Sequence, residues 1–132
     1  MNETLKIIER FHGHLGPYAV LGYKMGKIAC KKLGTDPFEK NATVSTGTTP
    51  PISCIIDGIQ LGSGCTLGKG NITVTSEQLP KAVFSNKNGE KITISLQKKI
   101  QEEIDTKVTE ENIIVYSEDM YNRLDADLFH ID

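Results

Sequence analysis

The sequence has 132 residues, of which 38% are apolar and 24% charged, with a formal net charge of −2. This is the composition of an ordinary soluble globular protein near the size of one domain, with enough chain to bury a core. The 15 Lys and Arg against 17 Asp and Glu, with no basic blocks, argue against a nucleic-acid or membrane surface, and no apolar run approaches the roughly 20 residues of a membrane span. The N-terminus lacks the basic-then-apolar order of a signal peptide, so a cytoplasmic location is expected. Three cysteines, an odd number, argue against a disulfide framework and leave core filling, metal binding or thiol chemistry as their uses.

Residues 2–11 place Leu5, Ile7, Ile8 and Phe11 at helical spacing, with Asn2 or Thr4 available as a cap. The segment FHGHLGP then interrupts with a loop or tight turn, and Pro17 suits the first turn of a new helix. Residues 17–33 carry the strongest helical pattern, with Tyr18, Leu21, Met25 and Ile28 on one face and Gly34 as a C-terminal stop. Gly22 and Gly26, four apart, form a flat stripe on which another element can approach closely. After a polar connection at 35–41, residues 42–47 have the β-branched content of a strand, and Thr48 or Thr49 can cap a helix whose first turn holds Pro50 and Pro51. That helix is expected to run to about Leu61, burying Ile52, Ile55, Ile56 and Ile59. A glycine-rich loop (62–71) leads to strands at 71–76, 81–86 and 90–96, the last two joined around Asn88-Gly89. Residues 97–106 read as a charged helix, 113–117 as a strand or extended tail, and 118–127 as a short helix. The order predicts one α+β domain over residues 1–132, a mixed sheet with helices on one face.

The chemistry-bearing residues fall in loops or at helix ends. His12 and His14 flank Gly13 on a flexible turn, so both imidazoles can face one point; solvated loop histidines are the competing use. Cys54 and Asp57, three apart, lie off the isoleucine face, and a helix N-terminus favours thiolate over thiol; a second buried face is the alternative. Cys65 follows Gly62, Ser63 and Gly64, which permit the backbone to fold back toward Cys54. Together His12, His14, Cys54 and Cys65 make a tetrahedral soft site for zinc, nickel or iron(II). With only three ligands, the open position could hold water, Asp57 could orient a ligand or act as base, and Lys69 could meet a bound anion. The stretch GCTLGKG is one residue short of phosphate-loop spacing, Gly70 replaces the magnesium-binding hydroxyl, and the helix-to-strand order is reversed. A smaller anion held by loop N–H groups and Lys69 remains open. Cys30 and His130 read as structural or tail residues, and Glu102, Glu103, Asp105, Glu110 and Glu111 as a solvated acidic face.

FHGHLGPYAVLGYKMG followed by CIIDGIQLGSGCTLGKGN resembles the FmdE/FwdE family of formylmethanofuran dehydrogenase proteins. The second block matches its motif at Cys54, Asp57, Ile59, Gln60, Gly64, Cys65, Thr66, Gly68, Lys69, Gly70 and Asn71, and the resemblance covers roughly residues 5–96. It implies an α-β-α-β-β-β core similar to the catalytic domain of glyceraldehyde-3-phosphate dehydrogenase. It also implies a metal at the His/Cys cluster, and an association with molybdenum or tungsten formylmethanofuran dehydrogenase and so with methanogenesis. Gly16 stands where many members have cysteine, and no cysteine follows Cys65 to build the zinc ribbon of longer members.

Three functions compete. The first is a zinc-binding accessory or cofactor-handling protein for a molybdenum or tungsten enzyme. The second is a small metalloenzyme acting on a pterin, formyl or anionic substrate, with Asp57 and Lys69 catalytic and Thr66, Gly68 and Lys69 lining the substrate site. The third, a thiol redox protein using Cys54 and Cys65, ranks last without a C-x-x-C pair. An edge strand and the family's tendency to pair make a homodimer the expected assembly.

Overall fold

A computed structural model describes residues 1–132. Helix α1 (Glu3–His12) begins where Asn2 accepts the Leu5 N–H at 2.9 Å and ends at Gly13, whose φ of +104° is left-handed. Its apolar residues divide: Leu5 and Ile8 are buried, whereas Ile7 and Phe11 are exposed. Helix α2 (Pro17–Leu33) has the expected bounds, with Pro17 in its first turn and Gly34 at its C-terminus. Its burial extends beyond the expected face to Ala19, Val20 and Ala29, because it runs through the middle of the molecule.

Strand β1 (Lys40–Val44) alternates buried and exposed residues and turns Ala42 and Val44 inward. Helix α3 (Cys54–Ser63) starts four residues later than Pro50, which corrects the expected start. The two prolines are used in the preceding turn, closed by the Cys54 N–H on the Pro51 carbonyl at 3.1 Å. Neither threonine caps the helix; Ser53 is the N-cap and makes no side-chain cap bond. Strands β2 (Ile72–Val74), β3 (Lys81–Asn86) and β4 (Lys91–Leu96) follow as expected, with Gly89 in the β3–β4 turn at φ +84°.

Beyond helix α4 (Lys98–Lys107) the structure departs from the expectation. Residues 113–117 open helix α5 (Ile113–Asn122) rather than a strand. Ser117 and Met120, three apart, turn into the core, and the Ser117 hydroxyl donates to the Ile113 carbonyl at 2.7 Å. Packing against α2 overrides the β preference of Ile113, Ile114 and Val115. Lys24 of α2 then donates to the carbonyls of Met120, Tyr121 and Arg123 at 3.2, 2.9 and 2.6 Å, satisfying the end of α5. A short helix α6 (Asp125–Leu128) delivers a strand that the local pattern does not reveal, β5 (Phe129–Ile131), which carries His130 opposite Ser95. The sheet order is β2-β1-β3-β4-β5, with only β1 and β2 parallel. This is the mixed α+β sheet that the element order implied.

The closest packing lies between α2 and α3. A Cβ on Gly22 would fall on the Ile55 carbonyl oxygen, and one on Gly58 would fall on the Ala19 carbonyl oxygen. Gly26 and Gly62 repeat the contact one turn along, against the backbone at Gly62–Ser63 and Tyr23. Bare backbone therefore meets bare backbone over two turns of each helix. Around this contact 25 buried apolar residues form a continuous core.

Gly58→Ala should lower stability by about 2–3 kcal/mol, because overpacking outweighs the gain in helix propensity. Gly68→Ala, with nothing near its Cβ, should change stability by less than about 0.5 kcal/mol. Urea denaturation compares them, and equal stabilities would refute the packing account. A second test concerns Glu103, which accepts two bonds from the Arg123 guanidinium at 3.1 and 2.7 Å. Those bonds hold its carboxyl below the usual range. Its stabilisation is therefore complete above the ordinary glutamate pKa of roughly 4.3 and is lost as pH falls through the lower folded-state value. Glu103→Gln should cost up to about 1 kcal/mol at neutral pH and nothing in strong acid; a deficit unchanged by pH would contradict the ion pair's role.

Candidate functional site

His12 is the last residue of α1, and the left-handed Gly13 turns the chain so that its ring lies against α3. Its Nδ1 is 2.6 Å from Oδ2 of Asp57. A carboxylate only accepts, so Nδ1 carries the proton and donates, and Nε2 is the nitrogen left to face the cavity. The side chain is 10% exposed, and Nε2 is buried without a hydrogen-bond partner. Leaving such an atom unpaired would cost about 1–3 kcal/mol, so a group entering the cavity would gain by bonding to it.

His14 lies beside it, with ring centroids 4.8 Å apart and planes at 40°. A Cβ on Gly16 would lie 3.2 Å from Cε1 of His14. The glycine that stands in place of the family's cysteine thus gives the His14 ring its space. Cys54 begins α3 three residues before Asp57 and is half-buried. Burial, and then the charge of Asp57, pushes its thiol up. This corrects the expectation that the helix N-terminus would favour thiolate; desolvation outweighs the helix dipole here.

His12, His14 and Cys54 border one cavity of about 600 Å³. Its wall also includes apolar Ile52, Ile104 and Val108 and a polar group that sequence reasoning missed. Tyr18, 4% exposed, donates its phenol O–H to Oδ1 of Asp105 at 2.8 Å. Burial and this bond push the phenol up, so it remains a donor at neutral pH. Asp105 stays exposed, as expected for the acidic face, but one of its oxygens is bonded to a buried phenol at the cavity rim. Its spacing on α4 carries the overlooked signal: Gln101 and Asp105 are one turn apart beside the inward Ile104 and Val108. Glu103, half-buried, does leave that face, for Arg123.

Cys65 does not join the histidines. It follows the C-terminal end of α3, whose ten residues span about 15 Å. It is fully buried, and its N–H donates to the Ser63 Oγ at 3.0 Å. Gly62–Gly64 do not fold the chain back along the helix; left-handed Gly64 ends it and turns the chain away. Cys30, on α2, approaches the same end, with Sγ 3.5 Å from the Gly62 carbonyl. Thr66, Gly68 and Lys69 form a separate turn, in which Thr66 Oγ1 accepts from the Lys69 N–H at 3.3 Å. Lys69 Nζ lies over the Phe38 ring at 5.6 Å, and none of these three residues borders the cavity. Asp57, in the first turns of α3, bonds to His12, whereas Lys69 lies in the turn beyond the other end of that helix. No three His, Cys, Asp or Glu side chains are gathered closely enough to form a ready metal cage.

No helix is long and apolar enough to cross a membrane. The chain is similar to a probable S-adenosyl-L-methionine-binding protein of Archaeoglobus fulgidus, at 38% identity over 69 residues. That match covers 48% of this chain and 18% of the relative, so the chain spans less than a fifth of that protein's length. Its fold is similar to a crystal structure of a tungsten formylmethanofuran dehydrogenase FmdE-like protein from Syntrophus aciditrophicus. The TM-score is 0.71 at 22% identity, over 98% of this chain and 69% of that one. The family model FmdE, described as molybdenum formylmethanofuran dehydrogenase operon, matches residues 11–130. With that match running from the residue before His12 to the one carrying the last imidazole, the chain belongs to the FmdE family.

Proposed function

We propose that this chain binds a transition metal ion, zinc before nickel or iron(II), through Nε2 of His12 with Cys54 and His14 as further donors. In this reading it is an accessory protein that handles a metal or cofactor for molybdenum or tungsten enzyme metabolism. One observation carries the metal: Nε2 of His12 is buried and without a partner while Asp57 holds Nδ1. A carboxylate behind a histidine is the usual outer support of a metal-binding imidazole, fixing its tautomer and raising its basicity. Two imidazoles and a thiol suit these metals. His14 and Cys54 would complete the set by turning toward the shared cavity, since they are not gathered as a cage beforehand. When bound, the metal would supply a Lewis-acid centre. The family description supports the link to molybdenum or tungsten enzymes.

The cavity beside His12 favours a second reading, a small metal-dependent enzyme acting on a pterin or formyl substrate. In that reading Asp57 positions His12 and is not a free base, and Lys69, Thr66 and Gly68 have no part in the cavity. The support for an anionic substrate, which rested on Lys69, falls away.

Metal analysis of protein purified without added metal tests the first reading. The parent should carry roughly one ion per chain, and His12→Ala and Cys54→Ser should lose it. Cys65→Ser should keep it. Asp57→Asn should weaken affinity about 10- to 100-fold while leaving the ligands in place. A parent without metal, or a His12→Ala variant loaded like the parent, would overturn the assignment.

A further inference from the structure

The cavity contains a recognition group that metal binding leaves unused. Asp105 Oδ1 accepts from Tyr18 at 2.8 Å, which holds this exposed carboxylate at the cavity rim and leaves Oδ2 without a protein partner. No lysine or arginine borders the cavity, and Asp105 takes part in none of the ion pairs of the structure. Lys107, in the same turn of α4, leaves it unpaired as well. Asp105 also stands in the last turn of α4, where the negative end of the helix dipole disfavours a carboxylate and favours a cation. Its charge therefore does nothing for the helix. The buried phenol that orients it comes from another element, and the neighbouring Ile104 and Val108 supply apolar wall. A volume of about 600 Å³ lies within the range of small-molecule pockets.

We propose that this cavity binds a small organic cation, an amine, amidine or guanidine on a flat or aliphatic body, whose N–H groups bond to Asp105. The apolar part of the ligand packs on Ile52, Ile104 and Val108. Tyr18 acts as a positioning residue: it holds Oδ1 so that Oδ2 faces the ligand. The N-terminal turns of α2 and α3 border the same cavity, at Tyr18 and at Cys54, and their dipoles favour a negative group, so Asp105 is what a cation there would pair with. The inference shares its cavity with the metal reading but does not need the metal.

The test uses the protein as purified, with its metal content measured in parallel, and titrates it with benzamidine and with its uncharged isostere benzamide. NMR chemical shifts or calorimetry supply the affinities. Benzamidine should bind at least fivefold more tightly than benzamide and should shift resonances of Tyr18 and α4. Asp105→Asn keeps an acceptor for the phenol and removes the charge, so it should abolish the preference while the thermal transition stays in place. Tyr18→Phe should weaken benzamidine less than Asp105→Asn does. Benzamide binding as tightly as benzamidine, benzamidine binding Asp105→Asn as it binds the parent, or neither compound binding would each overturn the proposal. Each outcome is independent of metal stoichiometry, so failure here leaves the metal assignment standing, and a metal-free parent leaves this one standing.

Discussion

Two helices in this protein touch with no side chains between them, and the rest of the structure is arranged around that contact. Gly22 and Gly26 of α2 meet Gly58 and Gly62 of α3 so closely that a methyl group at Gly22 or Gly58 would fall on a carbonyl oxygen of the other helix. The contact fixes where α3 begins relative to α2. Cys54 and Asp57, on the first turns of α3, thereby reach the level of the α1–α2 turn. Gly13 sends the chain from His12 into that turn, buried Leu15 anchors it, and Gly16 leaves room for the His14 ring. The glycines of the family motif thus act through backbone approach and turn geometry, while the polar residues between them supply the chemistry.

The His12–Asp57 bond is the point where fold and chemistry meet. Burying an imidazole while leaving one nitrogen without a partner is unfavourable for folding alone. The carboxylate on the other nitrogen fixes which atom is left over. Cys54 shows the same tension, because burial and a neighbouring carboxylate both oppose thiolate formation. Both groups gain a favourable partner if a cation enters beside them. Across the same cavity, Asp105 is held by a buried phenol and faces no protein cation. The site thus combines soft donors with a carboxylate that has no structural counterion.

Much of this was legible in the sequence. The bounds of α2, the inward stripe of glycines, the β3–β4 turn and the histidine turn all follow from local rules that the structure keeps. What escaped was decided by distant packing. Residues 113–117 have the composition of a strand but form a helix, because α2 offers Ser117 and Met120 a buried face and Lys24 satisfies the carbonyls at its end. Strand β5 is three residues long and gains its identity only from pairing with β4. Motif residues close in sequence need not be close in space: a ten-residue helix separates Cys65 and Lys69 from Cys54. Asp105 is hidden by its acidic neighbours: its spacing with Gln101 sets it beside the inward Ile104, but the partner that reaches it, Tyr18, lies 87 positions earlier.

The central claim is that Nε2 of His12 is a metal donor. Anomalous diffraction from crystals soaked in zinc tests it most directly. The account predicts a peak at about 2.0–2.1 Å from that nitrogen, with Asp57 still bonded to Nδ1 and the Cys54 sulfur turned toward the ion. A zinc-soaked crystal in which Nε2 is bonded to water, with zinc only at Cys65 or on the surface, would contradict it.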